Sequence, residues 1–234
     1  MTRRRPPFDP RLERRELTAG LIFLPLHFIL LPLAADALAL RFPQLGIGQM
    51  NLLYYAVGIL FLLLFFLPFL RRQFDALCDA PMLAFHALAG GYLIELAAAW
   101  GVVALFSLLG LDADANPNNE TILALTGRDW GIIKALAIFM APLLEETLVR
   151  GVVFGALRPR HRIAAYAVSV ALFALCHVWQ YALAARDVSL LLFALQYVPQ
   201  GLALAWCYDI SGTLWSPIAL HTLINALAYA SLGV

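Results

Sequence analysis

Long apolar segments alternate with short polar connections along almost the whole chain. We interpret seven of these segments as helices that cross a membrane, at residues about 19–40, 50–70, 82–110, 130–157, 163–183, 188–208 and 213–232. A helix needs roughly 20 predominantly apolar residues to cross the hydrocarbon core of a bilayer, and each segment is close to that length or longer. The pattern therefore predicts an all-α, polytopic helical membrane protein.

The length of the third segment leaves the predicted number of spans at either seven or eight. It is long and contains Gly90-Gly91, where a membrane helix tilts or breaks. An eighth span hidden in this segment would also move the C-terminus to the other side of the membrane. We favour about seven transmembrane helices, with one sizeable polar connection at 111–129.

The composition agrees with a chain embedded in lipid. Of the 234 residues, 62% are hydrophobic and 13% are charged, whereas soluble domains are about 45–50% apolar and about 25% charged. No basic patch is interleaved with exposed aromatic residues, so nucleic acid is not a predicted partner. Cys78, Cys176 and Cys207 are too few and too far apart for a disulfide framework or a CxxC metal site. They are predicted to pack as small apolar side chains.

The distribution of arginine residues indicates the orientation in the membrane. Residues 1–18 carry six arginines and form a predicted basic cytoplasmic arm, which a single transmembrane domain at 19–234 follows. With the N-terminus inside, the inner connections hold eleven arginines and the outer connections hold three. This bias is typical of cytoplasmic loops. We therefore predict a cytoplasmic N-terminus, an external C-terminus and residence in the inner membrane of a bacterial or archaeal cell.

Three ionisable residues, Glu145, Glu146 and Arg150, interrupt the fourth apolar segment. Each costs about 2.5–3.5 kcal/mol at bilayer depth, so such residues normally pair or line a water-filled cavity. Glu146 and Arg150 are four residues apart and are predicted to form an ion pair on one helix face. Glu145 points about 100° away from Glu146, and a desolvated carboxylate without an ionic partner suits general-base chemistry. The alternative is a packing network in which both carboxylates share Arg150.

Two later segments carry polar side chains at a similar depth. His177 lies in the fifth segment, and His221 and Asn225 lie four residues apart in the seventh. At about 1.5 Å per residue, all three overlap the level of Glu145. These four groups, on three helices, are therefore predicted to meet in one cavity.

Four neighbouring residues receive weaker interpretations. Glu95, near the middle of the third segment, either lines the same cavity or neutralises a basic group. Cys176 is adjacent to His177 and points about 100° away from it, which favours packing over a Cys–His pair. Pro142 cannot donate to the Ile138 carbonyl and is predicted to loosen the helix before Glu145. His27 has no partner at helical spacing in the first segment.

The ordered motifs Glu-Glu-x-x-x-Arg at 145–150, Phe-x-x-x-His at 173–177 and His-x-x-x-Asn at 221–225 resemble those of the CPBP family. Its members are also described as Abi proteins or as type II CAAX prenyl endopeptidase-like intramembrane proteases. The resemblance covers residues about 130–230, which would form the catalytic core in the C-terminal half. It implies a helical intramembrane endopeptidase whose site opens to the cytoplasmic side.

The resemblance also implies roles for individual residues. Glu145 would activate the attacking water together with His177, and His221 and Asn225 would stabilise the oxyanion. The site-shaping or substrate-binding residues would be Glu146, Arg150 and Phe173, with Arg150 also a candidate to bind a substrate carboxylate.

The family is described both as metalloproteases and as glutamic-type proteases, and the sequence favours the second type. The His-Glu-x-x-His helix of the zincins is absent, and Asn is a poor zinc ligand and a good oxyanion donor. We therefore predict a glutamate–water mechanism without a cofactor. In the alternative, Zn would be bound by Glu145, His177 and His221.

The predicted partners are the lipid bilayer and a membrane-anchored peptide or protein substrate, which is prenylated for the best-known relatives. Two other functions remain open. A catalytically silent membrane scaffold or bacteriocin-immunity protein would retain the same fold. A proton-coupled transporter would use the buried Glu, His and Arg groups as a relay. Transporters commonly contain internal repeats, and no convincing repeat relates the two halves of this chain.

Overall fold

The computed structural model describes residues 8–42, 44–113, 115–124 and 130–231. Within these ranges the chain forms helices and no strands, which confirms the predicted all-α class. The helices are α1 (Arg14–Arg41), α2 (Ile47–Phe65), α3 (Leu67–Asp79), α4 (Pro81–Leu108), α5 (Pro117–Ala124), α6 (130–157), α7 (Arg162–Cys176), α8 (Trp179–Ala185), α9 (Val188–Ser211) and α10 (Trp215–Ser231). Parts of the predicted polar connection, at 114 and 125–129, lie outside the described residues.

Four helices, α1, α2, α4 and α9, are long and apolar enough to cross a membrane. A fifth span results if α7 and α8, which are bent by 45° relative to each other, are taken together. The α6 helix is less apolar than these spans, because it carries four charged residues, and α10 is shorter, because it has 17 residues. The structure therefore supports an integral membrane protein, and the count of seven spans stays a prediction.

Several boundaries differ from the sequence expectation. The first membrane helix begins at Arg14 rather than near residue 19, because a buried Glu16 pairs with Arg72 and draws the first turn of α1 against α3. Leu67–Asp79 forms a separate amphipathic helix, α3, rather than the end of a span and a loop. The predicted break at Gly90-Gly91 is absent, since α4 is one helix of 28 residues.

Helix α6 occupies the centre of the fold. It contacts α1, α2, α7, α9 and α10. Its turns alternate between two hydrogen-bond registers, with π-helical turns at Leu136–Met140 and Glu146–Phe154 around an α-helical turn at Ala141–Glu145. Single π turns inside helices are frequent at functional sites. The central position and the irregular register make α6 the element from which the site is built.

Most of the described arginine residues in the connections meet at one end of the molecule, which we call the arginine-rich end (residues 8–15, 66–80, 158–162 and 209–215). The buried side chain of Gln73 accepts from the Leu214 amide at 2.7 Å and donates to the Pro10 carbonyl at 2.9 Å. Asp209 pairs with Arg162 at 2.8 Å and also with Arg158. These contacts tie the N-terminal segment, α3 and two interhelical turns into one layer.

A buried aromatic layer lies directly inside the arginine-rich end. Phe66, Phe69, Phe154, Tyr208 and Leu214 are fully buried in one apolar cluster. None of these five side chains has any exposed surface, as expected where a protein interior is closely packed. The helix bundle is therefore closed at this end.

Candidate active site

A cavity of about 870 Å³ lies between the helices on the other side of this aromatic layer. All four predicted catalytic residues, Glu145, His177, His221 and Asn225, line it. The volume is within the range of small-molecule and peptide sites, about 300–1,000 Å³. The structure therefore brings the three sequence motifs to one chamber.

Glu145 and His177 face each other across a short gap. His177 Nδ1 is 2.7 Å from the Phe173 carbonyl oxygen, so its proton lies on Nδ1 and its Nε2 carries a lone pair. This Nε2 is 3.9 Å from Glu145 Oε2, which is too far for a direct hydrogen bond. Among the described residues, Glu145 Oε2 has no hydrogen-bond partner. Glu145 Oε2 and His177 Nε2 are thus two acceptors that face the same space, in which one molecule could donate a hydrogen bond to each.

The backbone at the end of α7 determines where His177 points. Helix α7 ends at Cys176, and the chain then bends into α8. Both Cys176 and His177 line the cavity, although their directions along a helix were expected to differ by about 100°, and the preference for packing over a Cys–His pair stays a prediction. Successive side chains point about 100° apart only along a continuous helix, and α7 ends between Cys176 and His177.

Glu146 connects Arg150 and His221 through one oxygen atom. Its Oε1 is 3.0 Å from Arg150 Nη1 and 3.0 Å from His221 Nδ1. The predicted ion pair between Glu146 and Arg150 is therefore confirmed, and both side chains are fully buried. The contact with His221 was not predicted from the sequence, because no spacing rule relates residues on different helices.

Arg150 is buried beneath the site rather than exposed in it. Its Nη2 donates to the Gly201 carbonyl at 3.1 Å, and its guanidinium lies 4.3 Å from the centroid of the Phe173 ring. The expectation that Arg150 binds a substrate carboxylate was wrong, since its side chain has no exposed surface and does not line the cavity. A guanidinium on an aromatic face, paired with a carboxylate, is instead suited to positioning neighbours.

Phe173 separates the groups of the site. Its ring centroid is 4.6 Å from that of His177 and 5.6 Å from that of His221, while Arg150 covers one face. The ring is almost completely buried. Phe173 therefore fixes the positions of both imidazoles, in agreement with its expected role in shaping the site.

Asn225 holds α10 against a π-helical turn of α6. In that turn the Ala141 amide donates to the Leu136 carbonyl, five residues back. The next bond of the same register would need an N–H from Pro142, which has none. The free Ala137 carbonyl instead accepts from Asn225 Nδ2 at 2.8 Å. The sequence expectation named Ile138 as the affected carbonyl, and the π register moves the effect to Ala137.

Several cavity residues were not found by sequence reasoning. Tyr197 stacks on His177 with ring centroids 4.4 Å apart, and Tyr54 lines the cavity while its hydroxyl lies 3.0 Å from His27 Nε2. The partner of His27 thus lies on another helix, α2, which helical spacing within the first segment does not reveal. Glu95 also lines the cavity, which selects one of its two proposed roles. Aromatic residues are frequent in all apolar segments, so no spacing signal distinguished these tyrosines.

The cavity extends away from the arginine-rich end. Its lining residues that are also exposed lie at the other end of the helices, at Asp36, Ala39, Leu45, Ile47, Thr121 and Ala228. We call these six residues the mouth. If the arginine-rich end is cytoplasmic, the mouth does not face the cytoplasm as the resemblance implied.

The described residues contain no group of three or more His, Cys, Asp or Glu side chains arranged to hold a metal ion. The set considered for zinc, Glu145, His177 and His221, therefore does not have a ligand geometry. His221 Nδ1 is within hydrogen-bond distance of Glu146, and His177 Nδ1 of a carbonyl oxygen. The mechanism without a cofactor stays a prediction.

Residues 128–227 match the family model described as Type II CAAX prenyl endopeptidase Rce1-like. The matched region contains the three sequence motifs and the four predicted catalytic residues, whereas Glu95 and Tyr54 lie outside it. No curated protein and no solved structure matches the chain.

Proposed function

We propose that the protein is an intramembrane endopeptidase, because residues 128–227 match the Rce1-like family model. It hydrolyses a peptide bond of a membrane-associated substrate, in CAAX-type C-terminal processing or a related reaction. The observation that carries this proposal is the unpartnered Glu145 Oε2, which faces His177 Nε2 at 3.9 Å inside a cavity.

The nucleophile is a water molecule held between Glu145 and His177. Both groups accept hydrogen bonds, so one water donates to each of them. Glu145 takes the proton as the water attacks the carbonyl carbon, and general-base catalysis of this kind contributes about 10²–10⁴-fold. The proton then passes to the amine of the leaving peptide.

His221 and Asn225 stabilise the tetrahedral oxyanion. Glu146 Oε1 lies 3.0 Å from His221 Nδ1 and orients the ring, and we assign this imidazole as one of the two groups that contact the oxyanion. One amide hydrogen of Asn225 is used by the Ala137 carbonyl, and the second is available to the substrate. Loss of one such donor typically costs about 2.7–4 kcal/mol of transition-state stabilisation.

The proposed partners follow from this chemistry. The substrate is a membrane-anchored peptide or protein, and the enzyme resides in a bacterial or archaeal inner membrane with a cytoplasmic N-terminus. Of the two adjacent carboxyl groups, only Glu145 faces the substrate, because Glu146 is buried in an ion pair with Arg150.

The Glu145→Gln variant tests the proposal. We expect cleavage of model membrane peptides in proteoliposomes to fall about a thousandfold, because an amide cannot accept the proton. The unfolding temperature should remain unchanged, since Glu145 Oε2 has no partner to lose. Glu120→Gln, an exposed position on α5, is the matched control and should retain full activity. Unimpaired cleavage by Glu145→Gln, or proton-coupled uptake without any cleavage by the wild-type protein, contradicts the proposal.

A further inference from the structure

We propose that the cavity binds an extended peptide segment carrying basic side chains, and that this segment enters from the membrane face opposite the arginine-rich end. The proposal deepens the proposed function and rests on it, because the bound segment is taken to be the one that is hydrolysed. It rests on four observations: the position of the mouth, the closed opposite end, the charges of the lining and its hydrogen-bonding groups.

The positions of the lining residues define the direction of access. Asp36 and Ala39 lie in the last two turns of α1, and Ile47 is the first residue of α2. Thr121 belongs to α5, and Ala228 lies near the end of α10. All of these helix ends are opposite the arginine-rich end. Every exposed lining residue described is at this face.

The other face offers no access. None of the lining residues belongs to the arginine-rich end. Between that end and Glu145 lies the aromatic layer, in which Phe66, Phe69 and Phe154 have no exposed surface. Two buried polar groups, Gln73 and Thr213, close the turn below it, because Thr213 Oγ1 donates to the Gln73 carbonyl at 2.6 Å. Among the described residues, the exposed part of the lining lies at the mouth, so we assign the mouth as the route of a substrate to Glu145.

Three carboxyl groups and the imidazoles of His177 and His221 line this route. Asp36 is exposed at the mouth, and Glu95 and Glu145 lie deeper, whereas the lining includes no Lys and no Arg among the described residues. Glu95 Oε2 is buried without a hydrogen-bond partner in the described part of the chain. A cleft lined by charges of one sign concentrates ligands of the opposite sign. Lys or Arg side chains on the substrate thus complement this lining.

The uncharged lining residues favour a peptide backbone over a prenyl chain. Amide and phenol groups line the cavity at Asn51, Asn116, Asn118, Gln180, Gln196, Gln200, Tyr54, Tyr181 and Tyr197. Gln200 Nε2 is buried and has no partner among the described residues. Most of the other groups already bond to protein partners, as in the contacts of Asn116 with Gln196 and of Tyr181 with Asn118. An extended peptide supplies a carbonyl acceptor for the Gln200 amide, whereas an apolar chain would leave it unsatisfied at a cost.

Together with the arginine bias, this geometry places the mouth on the extracytoplasmic face. A prenylated protein on the cytoplasmic leaflet would be presented to the closed end. The substrate class that fits is a basic, unprenylated segment exposed outside the cytoplasm, such as the stretch that flanks a membrane anchor.

Cysteine labelling tests the direction of access. We would prepare two single-cysteine proteins, one with Asn51→Cys below the mouth and one with native Cys78, which is exposed at the end of α3. A membrane-impermeant maleimide should label Asn51→Cys at least about tenfold faster in right-side-out vesicles than in inside-out vesicles, and Cys78 in the reverse order. Labelling of both positions from the same face would overturn the proposed route.

Peptide binding tests the charge preference. Fluorescent peptides that differ only in Lys or Glu at two positions would be titrated into the catalytically silenced Glu145→Gln protein. We expect the Lys peptide to bind at least about tenfold more tightly at low salt, and the Asp36→Asn/Glu95→Gln double substitution to remove this difference. Glu120→Gln should leave it unchanged. Equal binding of both peptides, or tighter binding of a prenylated peptide, would overturn the substrate class.

The two experiments remain decisive if the protein does not cleave peptides at all. Labelling and binding are measured without turnover. A correct route and charge preference in a protein that cleaves nothing would contradict the proposed hydrolysis and leave this inference standing. Cleavage of acidic or prenylated peptides that are supplied on the membrane face of Cys78 would support the proposed hydrolysis and contradict this inference.

Discussion

Glu145 and Glu146 are adjacent in the sequence, yet their carboxylates have opposite surroundings. Glu146 is fully buried between Arg150 and His221, whereas Glu145 lines the cavity with an unpartnered oxygen. This division was predicted in part, because the spacing of four residues pairs Glu146 with Arg150 on one helix face. The two carboxylates should therefore respond differently to the same substitution.

We expect Glu146→Gln to destabilise the fold as well as to reduce activity. It leaves the Arg150 guanidinium buried without its counter-ion, and breaking a buried pair costs about 3–5 kcal/mol. Thermal unfolding in detergent should show a large decrease in the midpoint for Glu146→Gln and none for Glu145→Gln. Equal midpoints for the two variants would contradict the division of roles.

The register of α6 is the central feature at the scale of elements. A π-helical turn and Pro142 together leave the Ala137 carbonyl free, and Asn225 of α10 fills the vacancy. The sequence showed the proline and the asparagine but not the π turn, because the extra residue per turn depends on packing against α10. Positions of helices were thus predictable, and the contacts that join them were not.

A double substitution tests this account of Asn225. We expect Asn225→Leu to lower the free energy of unfolding by about 1–3 kcal/mol, since it leaves a buried carbonyl unsatisfied. In a Pro142→Ala background the restored N–H can bond to Ala137, so the loss should be at least halved, while activity stays low. A double-mutant cycle of unfolding measures the coupling. Additive effects would show that Pro142 does not free the carbonyl.

Glycines in α4 test the packing between elements. A Cβ on Gly91 would lie 2.6 Å from Leu220 Cδ2 of α10, whereas a Cβ on Gly101 meets nothing within 4 Å. Gly91→Val should therefore destabilise the protein by about 1–3 kcal/mol more than Gly101→Val, because overpacking forces the helices apart. Both substitutions introduce the same side chain into the same helix, so the difference in unfolding midpoint isolates the contact. A difference near zero would argue against close approach of α4 and α10.

At the scale of the molecule, the arginine-rich end sets the orientation. An odd number of crossings with eleven arginines inside predicts an internal N-terminus and an external C-terminus. A fluorescent protein fused to the N-terminus should be fluorescent, and alkaline phosphatase fused to the C-terminus should be active. An inactive phosphatase fusion, with a fluorescent C-terminal fusion instead, would indicate an eighth crossing. The overall class follows from composition, which depends on no particular contact, and the orientation stays a prediction from the distribution of charge.

The cavity direction could not be predicted from the sequence. Depth along each helix showed that Glu145, His177 and His221 share a level, but depth is symmetric with respect to the two faces. The membrane face to which the cavity opens is determined by which end of the helix bundle is closed. The seal depends on Gln73 reaching Leu214 across 141 positions of sequence.

The position of His221 and Asn225 on α10 has a consequence for biosynthesis. This helix is the last described element of the chain, and its first turn is held by Gln73 and by the bond from Trp215 Nε1 to the Leu70 carbonyl. A nascent chain that has inserted α1 to α9 carries Glu145 and His177 but lacks both oxyanion donors. Under the proposed mechanism we expect such a chain to be inactive, because it lacks both of the groups that are proposed to stabilise the oxyanion.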